Sequence, residues 1–536
     1  MKVCRAAEAV ASIRDGDTVV VCGDAGALVP DHVLAAVEER FLREGHPRDL
    51  TLVLPVAVGD VFDQPGADRL AHVGLVRRVI AGSYVMGTSP MTGRRSRLTE
   101  MVLADEVEAY NWPIGTLMHL LHAIGAGLPG LITPVGVGTF VDPRHEGGRM
   151  NARTRETLNS VLDVGGREYL FYPSFTVNVS IIRGSTADPD GYLSCEREGL
   201  TGGLFVEALA ARSSGGTVIA QVARLAERGA LSPLAVRVPG PLVDAIVVAP
   251  EQPQATGLRY DPGVSGELRV PWPPDPGTPD AAKRVIARRA LRELQPGDVV
   301  ILGVGAPAEI PTCAHARGRL DAFTFLTEHG MYGGKPLKGL QFGPALNPRA
   351  IIDTPSQFAF IDGGNCDVAA LAFAEMDALG NVNVSKLPGL IPGCGGFINI
   401  ARAARRLLFC GTFTTGGLEV VAAGGRLRIA REGRTRKFVA RVGQVTFPAR
   451  RFLDGRTVRV ITERAVFRLG AEGLVLEEIA PGIDLDGDVL GRMEFRPMLA
   501  HGGPAFMAAD LCTEPEREET RARSARVLHE QRGRET

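Results

Sequence analysis

The chain has 536 residues, 60 of them Lys or Arg and 61 Asp or Glu, for a net charge of -1. That balance gives no electrostatic handle for nucleic acid or an anionic membrane surface, and neither is expected as a partner. With 45% hydrophobic residues, 23% charged, 65 Gly and 36 Pro, the sequence excludes a disordered chain and predicts a large, loop-rich globular protein.

The opening segment is interrupted by Arg5, Glu8 and Arg14, so no secretory signal is expected. A predicted helix then leads into Asp15-Gly-Asp-Thr-Val-Val-Val-Cys-Gly23, a turn, an apolar β-branched strand and a glycine. Further apolar runs that read as strands lie at Leu52–Val58, Gly130–Val137, Gly216–Gln221 and Ala245–Ala249. Residues 251–280 carry Pro253, Pro262, Pro271, Pro273, Pro274, Pro276 and Pro279, a composition that suits a semi-rigid linker. Beyond it, a predicted helix at Ala281–Leu294 precedes Pro296-Gly-Asp-Val-Val-Ile-Leu-Gly303, which echoes the start of the chain. A second echo pairs Asp188-Pro-Asp-Gly-Tyr-Leu-Ser194 with Asp377-Ala-Leu-Gly-Asn-Val-Asn-Val-Ser385. Arg406–Thr412 reads as another buried strand, Leu427–Leu476 as a more polar strand-rich stretch, and 513–536 as a charged tail. Near-continuous apolar strands between helical segments mean sheets covered on both faces, hence an α/β fold of two related open domains with mainly parallel sheets. The expected divisions are 1–250, a Pro-rich linker 251–280, a second domain 281–512 and the tail 513–536.

Eight cysteines form no CxxC pair, no Cys/His cluster has zinc-ligand spacing, and no metal is expected. No apolar run approaches the ~20 residues needed to span a bilayer, so a cytoplasmic protein is expected. There is no GxSxG elbow and no HExxH. Gly303-Val-Gly305 and Gly136-Val-Gly138 lack the third glycine of a dinucleotide fingerprint, and Gly334-Lys335 lacks Walker spacing. Only six basic residues are lysine (2, 283, 335, 338, 386, 437), so the rest are arginine.

Three segments of the second half carry chemistry together. Gly303-Val-Gly305-Ala-Pro307 follows a strand and can present backbone N–H groups to an oxyanion. Phe323-Thr-Phe-Leu-Thr-Glu328-His-Gly330 ends a strand in a carboxylate before a turn, and Gly393-Cys-Gly-Gly-Phe397 is a glycine-rich loop. In this order they resemble the GxGxP, ExG and GxGGF segments of family I coenzyme A transferases, the fused-subunit acetate and 3-oxoacid type. The likeness continues through Gly343–Pro348, Asp362-Gly-Gly364, Asn381–Lys386 and Phe409–Phe413, and in the first half through Glu108–Gly115, Gly138–Arg144 and Gly215–Val222. It covers nearly the whole chain to about residue 510.

The resemblance implies a CoA-transferase that moves coenzyme A from an acyl-CoA to a free carboxylic acid, in short-chain fatty acid or ketone-body chemistry. Its implied nucleophile is Glu328, carrying a glutamyl-CoA thioester in a ping-pong cycle. A glutamate with an ordinary pKa near 4.3 is ionised at neutral pH and needs no neighbouring base. Gly303, Gly305, Pro307, Gly395, Gly396, Phe397 and Lys386 would form the oxyanion and CoA-binding side. Ile114 and His329 would face the acid. No cofactor is implied beyond CoA as substrate, and the family forms homodimers or homotetramers.

Three positions depart from the family pattern. His329 stands where the family has Asn or Ser, Ile114 replaces the Gln of Pro-Gln-Gly, and Gly82-Ser-Tyr-Val-Met86 replaces an aromatic segment. They point to a more apolar or unusual acceptor acid or to a changed reaction. The alternatives are a thioester hydrolase on the same scaffold and a catalytically altered acyl-CoA-binding protein.

Overall fold

Two β-branched runs, Thr18–Val21 (β1) and Val299–Leu302 (β8), form the central strands of two sheets, and their apolar side chains are buried except for Val299, which is partly so. Crowding at Cβ favours extended backbone, and burial on both faces explains why these runs lack polar alternation. The structure is a computed structural model that describes residues 2–85, 95–272, 280–452 and 455–513. Met86, the prolines at 273, 274, 276 and 279, and the tail from 514 onward lie outside the described residues.

The first sheet is built on seven parallel strands. These are β1, Leu50–Leu54 (β2), Val76–Ala81 (β3), Glu108–Asn111 (β4), Val179–Ala187 (β5), Thr217–Leu225 (β6) and Ala245–Val248 (β7). They lie in the order β7-β6-β5-β1-β2-β3-β4. The second sheet has a parallel core of β8, Thr324–Leu326 (β9), Val368–Leu371 (β10), Arg406–Cys410 (β11) and Thr457–Ile461 (β12). Their order is β12-β11-β10-β8-β9, and Ala465–Gly470 and Gly473–Ile479 extend that sheet with antiparallel strands.

The two orders superimpose strand for strand, β7-β6-β5-β1-β2 on β12-β11-β10-β8-β9, so the sequence echo reflects a repeated fold. The second echo repeats at the level of hydrogen bonds. Asp188 Oδ1 accepts from the amides of Asp190 and Tyr192, and Asp377 Oδ1 from those of Leu379 and Asn381, both two and four residues on. Each aspartate closes a turn that follows the strand next to β1 or β8. The polar stretch 427–476 adds strands as expected, and the predicted helix after the linker spans Ala281–Leu291.

One hydrophobic core runs through both halves. The described part of the linker is packed rather than free: Ala255 and Val264 are buried. Arg183, 1% exposed, pairs with Glu198 at 3.0 Å and donates to the carbonyls of Val29 and Pro253, tying this strap to the first sheet. Asn347 Oδ1 accepts from Val270 N at 2.9 Å, and Gln341 Nε2 donates to Thr256 O at 2.8 Å, tying it to the second half. Among the described residues no helix is long and apolar enough to cross a membrane.

Candidate active site

In parallel α/β sheets the loops at the carboxyl ends of the strands carry chemistry. Here the register pairs Ile301 with Leu326, so the loops after β8 and β9 leave the sheet side by side. The loop Gly303–Pro307 thus starts alongside the one that carries Glu328. Gly330, at φ +98°, makes the reversal that pairs Leu326 with Tyr332, and a Cβ there would lie 2.1 Å from the Ile352 carbonyl. Thr327 is fixed from both sides: its hydroxyl donates to Gly343 O at 2.9 Å, and its carbonyl accepts from Gln357 Nε2 at 2.9 Å.

The loop Gly393–Phe397 closes over the carboxylate from the far side. It is held by the first half through Asn111, whose Nδ2 donates to Ala81 O and Gly82 O, both at 2.8 Å, and whose Oδ1 accepts from Cys394 N at 2.7 Å. Gly395 N donates to Gly82 O at 2.9 Å, and Ile114 N donates to Gly395 O at 3.1 Å. A Cβ on Gly396 would lie 2.1 Å from Glu328 Oε2, so only glycine lets the loop come this close. The helix Ile114–Gly125 thus begins directly beside the loop over Glu328. Chemistry-bearing residues of both halves meet at one point.

The predicted oxyanion residues separate in the structure. Gly303 N donates to Ala370 O at 2.8 Å, so its N–H is already engaged in the sheet. Gly305, exposed and at φ +92°, has no acceptor for its N–H among the described residues. Of the two, only Gly305 has an N–H open to an acceptor, and Pro307, buried, lies in the tight turn Ala306–Glu309 that follows it. Phe397 differs from the expectation that it shapes the pocket. It is 7% exposed and stacks on Phe409 with ring centroids 6.0 Å apart, because it opens a helix whose apolar face joins the core.

Lys386 follows Ser385, whose carbonyl accepts from Gly393 N at 3.0 Å, so it stands at the outer flank of the glycine loop. Its backbone is clasped by Asn383, and its ammonium has no ion-pair partner among the described residues. Lys338 differs, since its ammonium pairs with Glu309 at 2.6 Å. No cluster of three or more metal-ligating side chains occurs among the described residues.

Sequence reasoning missed Asp24. It sits in the loop after β1, the counterpart of Gly303–Pro307 in the repeat, and it is 4% exposed. Its Oδ2 lies 2.5 Å from Nδ1 of His329, while His329 Nε2 lies 3.5 Å from Glu328 Oε1. The echo at Asp15–Gly23 marked this loop, and His329 stood out as a departure from the family pattern, but no sequence signal paired the two.

The electrostatics follow from that line of groups. Burial, helped by the Asp24 charge, raises the Glu328 carboxyl above its ordinary value, while His329 and the Gly396 amide act to lower it. This departs from the ordinary glutamate read from the sequence. Burial lowers the affinity of His329 for a proton, but Asp24 and, less strongly, Glu328 outweigh it and hold the imidazole up to about 9. At neutral pH the imidazole that stands between the Asp24 and Glu328 side chains is therefore protonated.

A model of the family described as "Coenzyme A transferase" matches residues 3–249. An acetate CoA-transferase, YdiF, of Escherichia coli O157:H7 is 39% identical over 501 residues, covering 93% of each chain. A caffeate CoA-transferase of Acetobacterium woodii is 41% identical over 509 residues, covering 93% of this chain and 95% of the relative. Among solved structures, the acyl-CoA transferase YdiF from E. coli O157:H7, a thioester complex with CoA, superimposes with a TM-score of 0.88 at 37% identity over 96% of each chain.

Proposed function

The chain belongs to the coenzyme A transferase family, and from that premise we propose that it moves coenzyme A from an acyl-CoA to a free carboxylic acid through a thioester on Glu328. The observation that carries this reading is the enclosure of the Glu328 carboxylate by Gly395 and Gly396, with the loop that holds the open Gly305 amide leaving the neighbouring strand.

Glu328 attacks the thioester carbonyl, and the oxyanion collapses to a mixed anhydride with release of CoA thiolate. The thiolate attacks the glutamyl carbonyl, expels the first acid and leaves a glutamyl-CoA thioester. The acceptor carboxylate attacks that thioester and again releases thiolate, which then takes the acyl group from the new anhydride and frees Glu328. Once Glu328 is ionised every nucleophile is an anion, so no proton needs to be removed within the cycle. The Gly305 N–H receives the developing negative charge. On the acid side, Ile114, Phe342 and Phe358 supply apolar surface near Glu328 and His329, which favours an acceptor with an apolar body. The domain limits that go with this reading are 1–250 and 281–512 around the linker 251–280. They are supported by the repeated strand order on either side of it. A cytoplasmic, homo-oligomeric enzyme completes the proposal.

The direct test is incubation with acetyl-CoA, trapping with borohydride or hydroxylamine, and mass spectrometry. A modification confined to the peptide containing Glu328 is expected; an unmodified peptide in enzyme that still exchanges would refute the covalent route. The Lys386 ammonium is assigned to a phosphate of CoA as a point charge. Lys386→Glu is expected to raise KM for acetyl-CoA about tenfold, the scale of one charge-assisted contact, with KM for the acid unchanged. Unaltered CoA kinetics would remove Lys386 from the site.

A further inference from the structure

We propose that His329 donates a hydrogen bond from Nε2 to the glutamyl carbonyl oxygen of the covalent intermediate, and that Asp24 is the positioning residue that aims and charges it. The inference rests on the glutamyl-CoA reading above.

The geometry carries it. Oε1 of Glu328, 3.5 Å from His329 Nε2, is the oxygen that becomes the thioester carbonyl when CoA joins the other side of the carboxyl carbon. Acceptor acid or thiolate attacking that carbon pushes an electron pair onto this oxygen. A cationic N–H held beside it stabilises the charge as it appears, and the charge returns to the leaving group on collapse. The Gly305 amide is then left for the other carbonyl of the cycle, that of the acyl group. Two carbonyls are attacked in each exchange; on the glutamyl one, His329 adds a cationic donor to the neutral Gly396 amide that already faces Glu328.

Asp24 comes from the opposite half of the chain and closes on Nδ1 at 2.5 Å. Its loop is tightly set, with Asp24 N donating to Ala27 O and Ala27 N to Asp24 O, both at 2.8 Å. Gly343 lies against both partners, since a Cβ there would be in van der Waals contact with them, 3.4 Å from His329 Cδ2 and 3.5 Å from Asp24 Oδ1. Phe342 meets the imidazole edge-on at 6.4 Å. The charged groups facing His329 are Asp24, from the loop after β1, and Glu328, from its own loop. On the glycine loop the Cys394 thiol, near Glu328, is kept protonated by burial. When Glu328 becomes an uncharged thioester, Asp24 alone sustains the imidazolium in its buried place.

The test uses the full-length enzyme, exchange of labelled acetate into acetyl-CoA, and the pH profile of kcat. Asp24→Asn is expected to retain the trappable modification on Glu328 and the KM for acetyl-CoA. It should lower kcat about 10- to 100-fold, the scale of a misaimed oxyanion donor. It should also shift the alkaline limb of kcat downward by roughly two pH units or more, because in the thioester form, where Glu328 carries no charge, burial then acts on the imidazole unopposed. His329→Gln, should Asp24→Asn fail to fold, is expected to abolish that limb while keeping residual exchange. A loss of rate equal at every pH, with the limb unmoved, would overturn the role of this pair alone. Absence of any Glu328 modification in the unaltered enzyme would overturn the reading beneath it and this inference with it.

Discussion

Glu328→Ala is expected to lower kcat for acyl-CoA exchange by on the order of 10⁴-fold or more, because it removes the atom that forms the covalent intermediate. The rest of the site persists in the variant: the Gly305 N–H stays open, and the glycine loop stays anchored to Asn111 by bonds that do not involve Glu328. Acetyl-CoA should therefore bind with little change, which equilibrium titration measures separately from turnover. Stability should be equal or higher above the ordinary carboxyl range. Burial raises the Glu328 carboxyl in the folded state, so ionising it works against folding as pH rises, and alanine lifts that penalty. A variant that kept exchange within tenfold of the parent would show that another group carries the acyl chemistry.

Gly396→Ala is the second large effect, and it separates position from chemistry. The backbone at Gly396, φ -86° and ψ 1°, is open to any residue, so the substitution should not strain the chain. The new methyl would stand 2.1 Å from Glu328 Oε2 and 2.8 Å from Phe358 Cζ. Phe358 is fully buried and cannot yield, so the carboxylate must move. A nucleophile displaced by about 1 Å loses roughly 10²-fold in kcat. Melting temperature should fall as well, because overpacking against Phe358 costs about 1–3 kcal/mol, and trapping on Glu328 should become slow rather than vanish. Unchanged kcat would mean that the loop can retreat, and that glycine serves some other purpose there.

These two residues were legible in the sequence because local motifs carry them: an acid at a strand end, and glycines where a backbone must approach. The repeated fold was legible too, since β-branched runs of a few residues fix both the strand and its burial. What escaped was whatever depends on partners far along the chain. Asp24 reads as one acidic residue in a turn until the two halves close and set it against His329. The Gly303 amide reads as a free donor until β10 lies beside β8 and Ala370 takes it. Phe397 reads as a pocket residue because it ends a glycine motif, yet the helix it opens turns the ring into the core. The environment of Glu328 was also hidden, because an ordinary pKa presumes water around the group, and only the folded site removes it.

The Asn111 carboxamide has a consequence of another kind. Its two donors hold the first half while its oxygen holds the Cys394 amide of the second, so separation of the halves bares that amide to solvent. Deuterium uptake at Cys394 is therefore a clock for their parting. Any substrate that bridges Ile114 and Glu328 must slow the clock by the same factor that closure adds to its affinity, because the two equilibria are linked. A site assembled from two halves thus turns ligand affinity into mechanical cohesion.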